Sequence, residues 1–389
     1  MKKIVLFLLL IISSLNVIAT EKNYDISILT IGPGESLSDA FGHSAIRVKS
    51  KSPYYDYVFN YGLYDFNDPN FYPNFLKGYL NYSLGVSDFK NFKSSYISNN
   101  RSIKEQELEL PESIKKEIAN RLIYNAKPEN KNYLYDYFSN NCSTIIKDII
   151  DESLSNYDYK NNYIVQGKEM NTYRNLIYEN INKNSWGSLG IDICLGSFID
   201  QEIDAEKNTF LPEYLFDYLN SSYYKKFEYN DTRLVKEVNI IHSPKFLPYS
   251  NVSTFFYSPL FIFIILSSLL IFLNFRHKKN KINHLLLEST QLITSGIGFL
   301  LLFLWFFTDH YATAFNYNLL WANPLNIILI FNVVNKKWKI ALLKLLLLCL
   351  VLIILHTITK VQVFNISLYP IFVFLTLRYF KLIQYYKNL

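Results

Sequence analysis

The sequence predicts an α+β domain held outside the cytoplasm and joined to an all-α membrane domain of about five helices. Three observations predict it. The chain opens on an export signal, its middle passes from strand-like alternation to helical spacing, and its last third is built from long apolar runs. Each is justified below in chain order.

The opening stretch, "MKKIVLFLLLIISSLNVIAT", sets Lys2 and Lys3 before an apolar core at 4–12, followed by small and polar residues. Val17 and Ala19 occupy the −3 and −1 positions of a cleavage site before Thr20, so residues 1–19 read as a secretory signal peptide. No cysteine follows the junction, which argues that the chain is not itself a lipoprotein.

The middle region, 20–249, begins with "DISILTIG" and "HSAIRVKS", which alternate as strands do, and "DYVFNYGLYDF" continues the pattern. In "GHSAIRVK", Ile46 and Val48 share one face while His43, Ala45 and Arg47 share the other, which sets His43 off the buried face. After Pro111, a first-turn residue, Ile114, Ile118, Leu122 and Ile123 recur at helical spacing. A second helix is expected near Cys142, because Ile145, Ile146, Ile149, Ile150 and Leu154 form one stripe. Asn140, Asn141, Ser143 and Thr144 surround its start and are good capping types.

The last region, 250–389, holds five apolar segments at about 255–275, 285–307, 319–334, 340–358 and 363–383. The first, fourth and fifth approach the ~20 residues that a spanning helix requires. The second carries Glu288, Thr290 and Gln291, and the third carries Asn323, Pro324 and Asn326. The whole chain has a formal charge of +6, yet from Thr254 onward twelve Lys/Arg face two Asp/Glu, so the preceding part is net negative. Positive charge concentrated among apolar runs excludes a nucleic-acid reading. Eleven of the twelve basic residues lie in "RHKKNKIN", "NKKWKIALLK" and "RYFKLIQYYKNL", whereas "TDHYATAFNYN" and "HTITKVQVFN" hold only Lys360. The positive-inside rule puts the first group and the C-terminus in the cytoplasm. The second group then faces the side to which the signal peptide sends the soluble domain.

The three cysteines, Cys142, Cys194 and Cys349, are too few and too scattered for a disulfide framework, although a Cys142–Cys194 pair stays open. Cys349 in "LLLLCLVL" and Cys194 in "DICLGSFID" read as apolar filler. Cys142 differs, because a helix N-terminus favours the thiolate and offers N–H groups to a developing oxyanion. It reads as a nucleophile, the alternative being a buried structural thiol. His43 is the candidate base, and a third group must orient its ring. Asn60, Asp56 or Asp65 could do so, with Asn60 favoured. Asn141 and Ser143 flank the thiol as candidate substrate contacts.

The outward loop forms a second cluster, with Asp309, His310, Asn316, Asn318 and Asn323 around an apolar stretch. One reading is interfacial anchoring through Tyr311, Tyr317 and Trp321. The other docks the loop under the soluble domain, where Asp309, His310, Asn316 and Asn318 would bind lipid and His310 could compete for the base role. No ligand spacing resembles a zinc site, and no cofactor is expected.

The order His43 before Cys142 is the reverse of ordinary papain-like enzymes and resembles the circularly permuted group that includes the lecithin:retinol-acyltransferase-like enzymes. More closely, "FGHSAIRV", "VFNYGLYDF", "NFLKGYLNYSLG", "YDYFSNNCST", "LGSFID" with "FLPEYL", and "TDHYATAFNYNLLWANPLN" resemble the Lnb family of bacterial lipoprotein N-acyltransferases. The resemblance implies a permuted papain-like (NlpC-like) domain at 20–249 and a membrane domain at 250–389 in the bacterial inner membrane. It also implies Cys142 as nucleophile, His43 as base, an acyl-enzyme thioester, and membrane lipids and lipoproteins as acyl donor and acceptor. The competing expectations are a permuted papain-like cell-wall amidase or peptidase, a lipid esterase or thioesterase, and a non-enzymatic membrane sensor or assembly factor.

Overall fold

The computed structural model of the protein describes residues 23–388 apart from short segments at 52–53, 66, 163–170, 228–229, 245–251, 277–280 and 332–333. The expected signal peptide at 1–19 lies outside the described residues.

Seven strands form the main sheet: β1 (Asp25–Ile31), β2 (His43–Lys51), β3 (Tyr54–Leu63), β4 (Asn81–Asp88), β5 (Ile103–Leu108), β6 (Asn132–Leu134) and β7 (Val235–His242). Their order is β7-β5-β1-β2-β3-β4-β6, and every neighbouring pair is antiparallel. The soluble domain adds helices α1 (Phe71–Lys77), α2 (Phe89–Ser98), α3 (Glu112–Asn125), α4 (Cys142–Ser153), α5 (Tyr173–Asn180), α6 (Trp186–Cys194) and α7 (Pro212–Asn220).

β1 is buried from Ile26 onward because apolar side chains point to both faces of this central strand. Ile26 and Ile28 join Ile46 and Val48 under α3, α4 and α7, which contribute Ile118, Ile146, Ile150 and Leu215. Leu29, Ile31, Ala45 and Val58 pack on the opposite face against Phe92 of α2. The expectation that His43 leaves a buried face is therefore corrected. The alternation holds, but α2 covers the second face as well, and His43 stays accessible only because it stands at the strand's end.

The membrane domain contains α8 (Pro259–Phe275), α9 (Lys281–Phe306), a single turn α10 (Ile327–Ile330), α11 (Lys336–Ile358) and α12 (Tyr369–Asn388). Three segments, Leu285–Phe306, Lys336–Ile358 and Ile366–Asn388, are long and apolar enough to cross a bilayer. α8 is apolar but only 17 residues long. The third expected span, 319–334, is not one helix: 3-10 turns at Tyr317–Leu320 and Pro324–Asn326 precede α10. Pro324 supplies no N–H and disfavours helical geometry at the residue before it, which breaks the run where a continuous span was expected. Such backbone survives at membrane depth only when protein covers it. Here the side chain of Asn326 is fully buried and accepts a hydrogen bond from Tyr379 Oη at 2.8 Å.

Candidate active site

Gly42 precedes β2 with φ of +77°, a conformation that L side chains rarely adopt, and a Cβ there would lie 2.7 Å from the Ile31 carbonyl oxygen. That tight entry delivers His43 to the strand end. The β2–β3 register, in which Ile46 faces Phe59, carries Asn60 toward it. The His43 ring then meets Asn60, with Nε2 and Oδ1 2.5 Å apart. An amide oxygen only accepts, so Nε2 carries the proton and Nδ1 is the nitrogen left for a partner. Asp56 and Asp65, the other candidates for this role, are engaged elsewhere. Asp56 pairs with Arg47 at 2.8 Å, and Asp65 accepts from the Asn67 N–H.

α4 brings the partner. Asn141 is its N-cap, accepting from the Ser143 and Thr144 N–H groups, while the Thr144 hydroxyl oxygen accepts from the Asn141 N–H in a capping box. Cys142 is thus the first helical residue, and the cap leaves its own N–H unused. Ser143 and Ser44, both fully buried, bring their hydroxyls within 3.0 Å, which fastens the helix start to β2. The thiol thereby comes beside the His43 ring and the Ser44 N–H, near enough for both to act on its charge.

Electrostatics follow from this enclosure. Burial alone would push the Cys142 thiol up, but the His43 charge, its hydrogen bond and the Ser44 N–H outweigh burial and bring it below its ordinary value. Burial likewise would lower the His43 imidazole, yet the Cys142 thiolate and the Asn60 oxygen raise it. The two directions together favour a thiolate–imidazolium pair.

The pair opens into a cavity of about 640 Å³ lined largely by aromatic and aliphatic side chains, among them Phe41, Tyr72, Phe75, Tyr82 and Phe210. His310, from the outward loop, reaches its rim. Its Nε2–H donates to the Phe75 carbonyl oxygen at 2.8 Å.

Other expected site residues sit differently. Asn141 donates both amide hydrogens to the Tyr137 and Phe210 carbonyls, and with its cap bonds it has no polar group to spare. Ser143 faces Ser44 inside the fold. Asp309 is exposed, and its backbone N–H donates to the Lys77 carbonyl. Asn316 and Asn318 lie away from the cavity, almost wholly buried, and donate to the Ile193, Cys194 and Asp192 carbonyls. Those carbonyls end α6, where a helix leaves acceptors unpaired. The loop therefore docks beneath the soluble domain, and its asparagines act as a clamp. All three cysteines are free, so the Cys142–Cys194 pairing does not form.

Sequence reasoning missed the ion cluster beside that clamp. Arg174 pairs with Asp192 and with Asp200, the latter at 2.7 Å, and all three side chains are at most 3 % exposed. Asp192 also accepts from Tyr178 Oη at 2.6 Å and from Asn365 Nδ2, in the membrane domain, at 2.7 Å. The available signal was a pair of carboxylates inside apolar runs, "GIDICLG" and "SFID". Gly196, between them, fits under the loop only without a side chain: a Cβ would stand 1.9 Å from the Ala314 carbonyl oxygen.

Two family models match the sequence, the Lnb N-terminal periplasmic domain over residues 19–179 and the Lnb transmembrane domain over residues 250–389. No curated protein and no solved structure matches it.

Proposed function

The chain belongs to the Lnb family, with a periplasmic N-terminal domain and a transmembrane domain, and from that premise we propose that it is a cysteine acyltransferase acting on bacterial lipoproteins. The observation that carries the reading is the Cys142–His43–Asn60 arrangement in an apolar cavity to which the membrane domain contributes His310. On this reading the soluble domain is a permuted papain-like fold, with the histidine strand preceding the cysteine helix. The chain sits in the inner membrane with its C-terminus in the cytoplasm, as its basic links require.

The reaction has two halves. The Cys142 thiolate attacks the ester carbonyl of a lipid, and the Cys142 N–H at the start of α4 faces the developing oxyanion. The C–O bond breaks, the His43 imidazolium protonates the departing alcohol, and the acyl group remains on sulfur as a thioester. The α-amine of the lipoprotein's N-terminal cysteine then attacks that thioester. His43 Nδ1 takes the amine proton, the C–S bond breaks, and an amide leaves with the thiolate–imidazolium pair restored. Walls of aromatic rings keep water scarce, which favours aminolysis over hydrolysis. They also disfavour a cell-wall amidase, whose glycan and peptide substrates demand many hydrogen-bonding partners.

Trapping tests the reading. Membranes holding the protein are incubated with a phospholipid bearing an alkyne-tagged acyl chain, quenched in acid and coupled to a reporter. The expected label is removed by neutral hydroxylamine and is missing from Cys142→Ala. A wild-type protein that turns over lipid without acquiring this label at Cys142 would overturn the proposal.

The acid and alkaline limbs of the pH profile belong to the pair. Acylation of Cys142 should rise as the thiolate forms, below the ordinary thiol range, and fall as His43 loses its proton, above the ordinary imidazole value. Asn60→Ala removes an acceptor that stabilises the imidazolium, so the alkaline limb should move to lower pH. Rates of Cys142 acylation by the tagged phospholipid against pH measure this; an unmoved limb assigns Asn60 no part in holding the charge.

A further inference from the structure

A second cavity adjoins the first. It encloses about 240 Å³, more than the ~150 Å³ of an apolar cavity known to accept benzene. Phe41, Leu80, Tyr135, Tyr137 and His310 line both, so the two spaces share a wall. Beyond that wall the second chamber runs between Ile177 of α5, Ile191 of α6 and Leu195, and it is floored by Ala312 and Thr313 of the outward loop.

Apart from the exposed Asp309 at its edge, much of its polar lining is already satisfied from within. The Asp136 carboxylate accepts from the Phe138 and Ser139 N–H groups and from Tyr311 Oη at 3.0 Å. The Thr313 hydroxyl bonds to the His310 carbonyl at 2.7 Å. A ligand here meets apolar walls and few open donors or acceptors, which suits a hydrocarbon. One exception stands at the shared wall, where the buried Tyr137 hydroxyl has no partner among the described residues. An ester or thioester carbonyl lying between Cys142 and the chamber would give it an acceptor. The loop that floors the chamber follows the end of α9, an apolar helix long enough to cross a bilayer, where Phe306 and Phe307 are exposed.

We propose that this chamber holds the tail of the acyl group carried on Cys142, so that Ile191 and Leu195 set the acyl length the protein accepts. The proposal rests on the acyl-enzyme reading above and adds where the chain goes. Filling the chamber with Ile191→Phe or Leu195→Phe should shorten the preferred chain. The full-length protein in detergent would be assayed on p-nitrophenyl palmitate and p-nitrophenyl butyrate, where nitrophenolate leaves and water resolves the thioester. The palmitate-to-butyrate ratio should fall roughly tenfold or more relative to wild type, the scale on which apolar pockets discriminate. An unchanged ratio overturns the proposal.

A second measurement separates it from the catalytic reading. Cys142→Ala protein is placed in phosphatidylethanolamine vesicles whose palmitoyl chains carry a diazirine, irradiated, and mapped by peptide mass spectrometry. Crosslinks at Ile177, Ile191, Leu195 or 311–313, which line the chamber and not the first cavity, support the chamber even if no thioester is ever trapped. Crosslinks confined to the membrane helices sink the chamber even if Cys142 acylates normally.

Discussion

Lipoproteins from cells whose only copy of this protein carries Cys142→Ala should keep a free N-terminal amine, read by mass spectrometry, while the protein's own abundance is unchanged. The expected loss of acyl transfer is at least ~10⁴-fold, the scale seen when a covalent nucleophile is removed. Stability should hold because the helix does not depend on the thiol. The cap is made by Asn141 and Thr144, the strand contact by Ser143 with Ser44, and alanine is well tolerated at a first helical position. His43→Ala should fail alike. His310→Ala should retain the chemical step, since the ring's Nε2–H is bound to the Phe75 carbonyl and the ring itself stands at the rim. Normal acylation at normal abundance in Cys142→Ala would remove the acyltransferase reading. A matching loss of abundance would mark the thiol as structural.

Local signals carried much of this site. Alternation in "HSAIRVKS" and the isoleucine stripe after Cys142 were enough to open β2 on His43 and α4 on Cys142, because each rests on neighbours within one element. What alternation could not show was the helix covering the second face of the sheet. Phe89–Ser98 packs there through tertiary contacts that leave little mark on β2 itself. The third of the five expected spans departs from a continuous helix for a related reason. Hydropathy reports cost in lipid, and the run at 319–334 is apolar enough, but Pro324 and the buried Asn326 turn it into broken backbone sheltered by α9 and α12. The asparagines of the outward loop were legible as unusual, though not as a clamp. Their partners are the carbonyls ending α6, more than a hundred residues away.

Arg174→Met should produce the largest loss of stability in the soluble domain. Arg174 stands between Asp192 and Asp200, and removing it leaves two carboxylates in a dry site with no cation. Breaking a buried pair from one side costs ~3–5 kcal/mol, since the abandoned charge keeps its desolvation penalty. For a domain of this size that corresponds to a drop in Tm of roughly 10 °C, measurable by thermal shift in detergent. Adding Asp200→Asn should recover part of it by deleting one stranded charge, which separates the electrostatic cause from simple loss of packing. The damage should also reach the reaction. Asp192 holds Asn365 of the membrane domain, and its own helix carries Ile191 into the acyl chamber. Surviving Arg174→Met protein should therefore lose long-chain transfer ahead of reactivity at Cys142, whose His43 and Asn60 partners lie on the sheet. If Tm and chain-length preference both stay at wild-type values, the cluster does not join the two domains in the way its geometry requires.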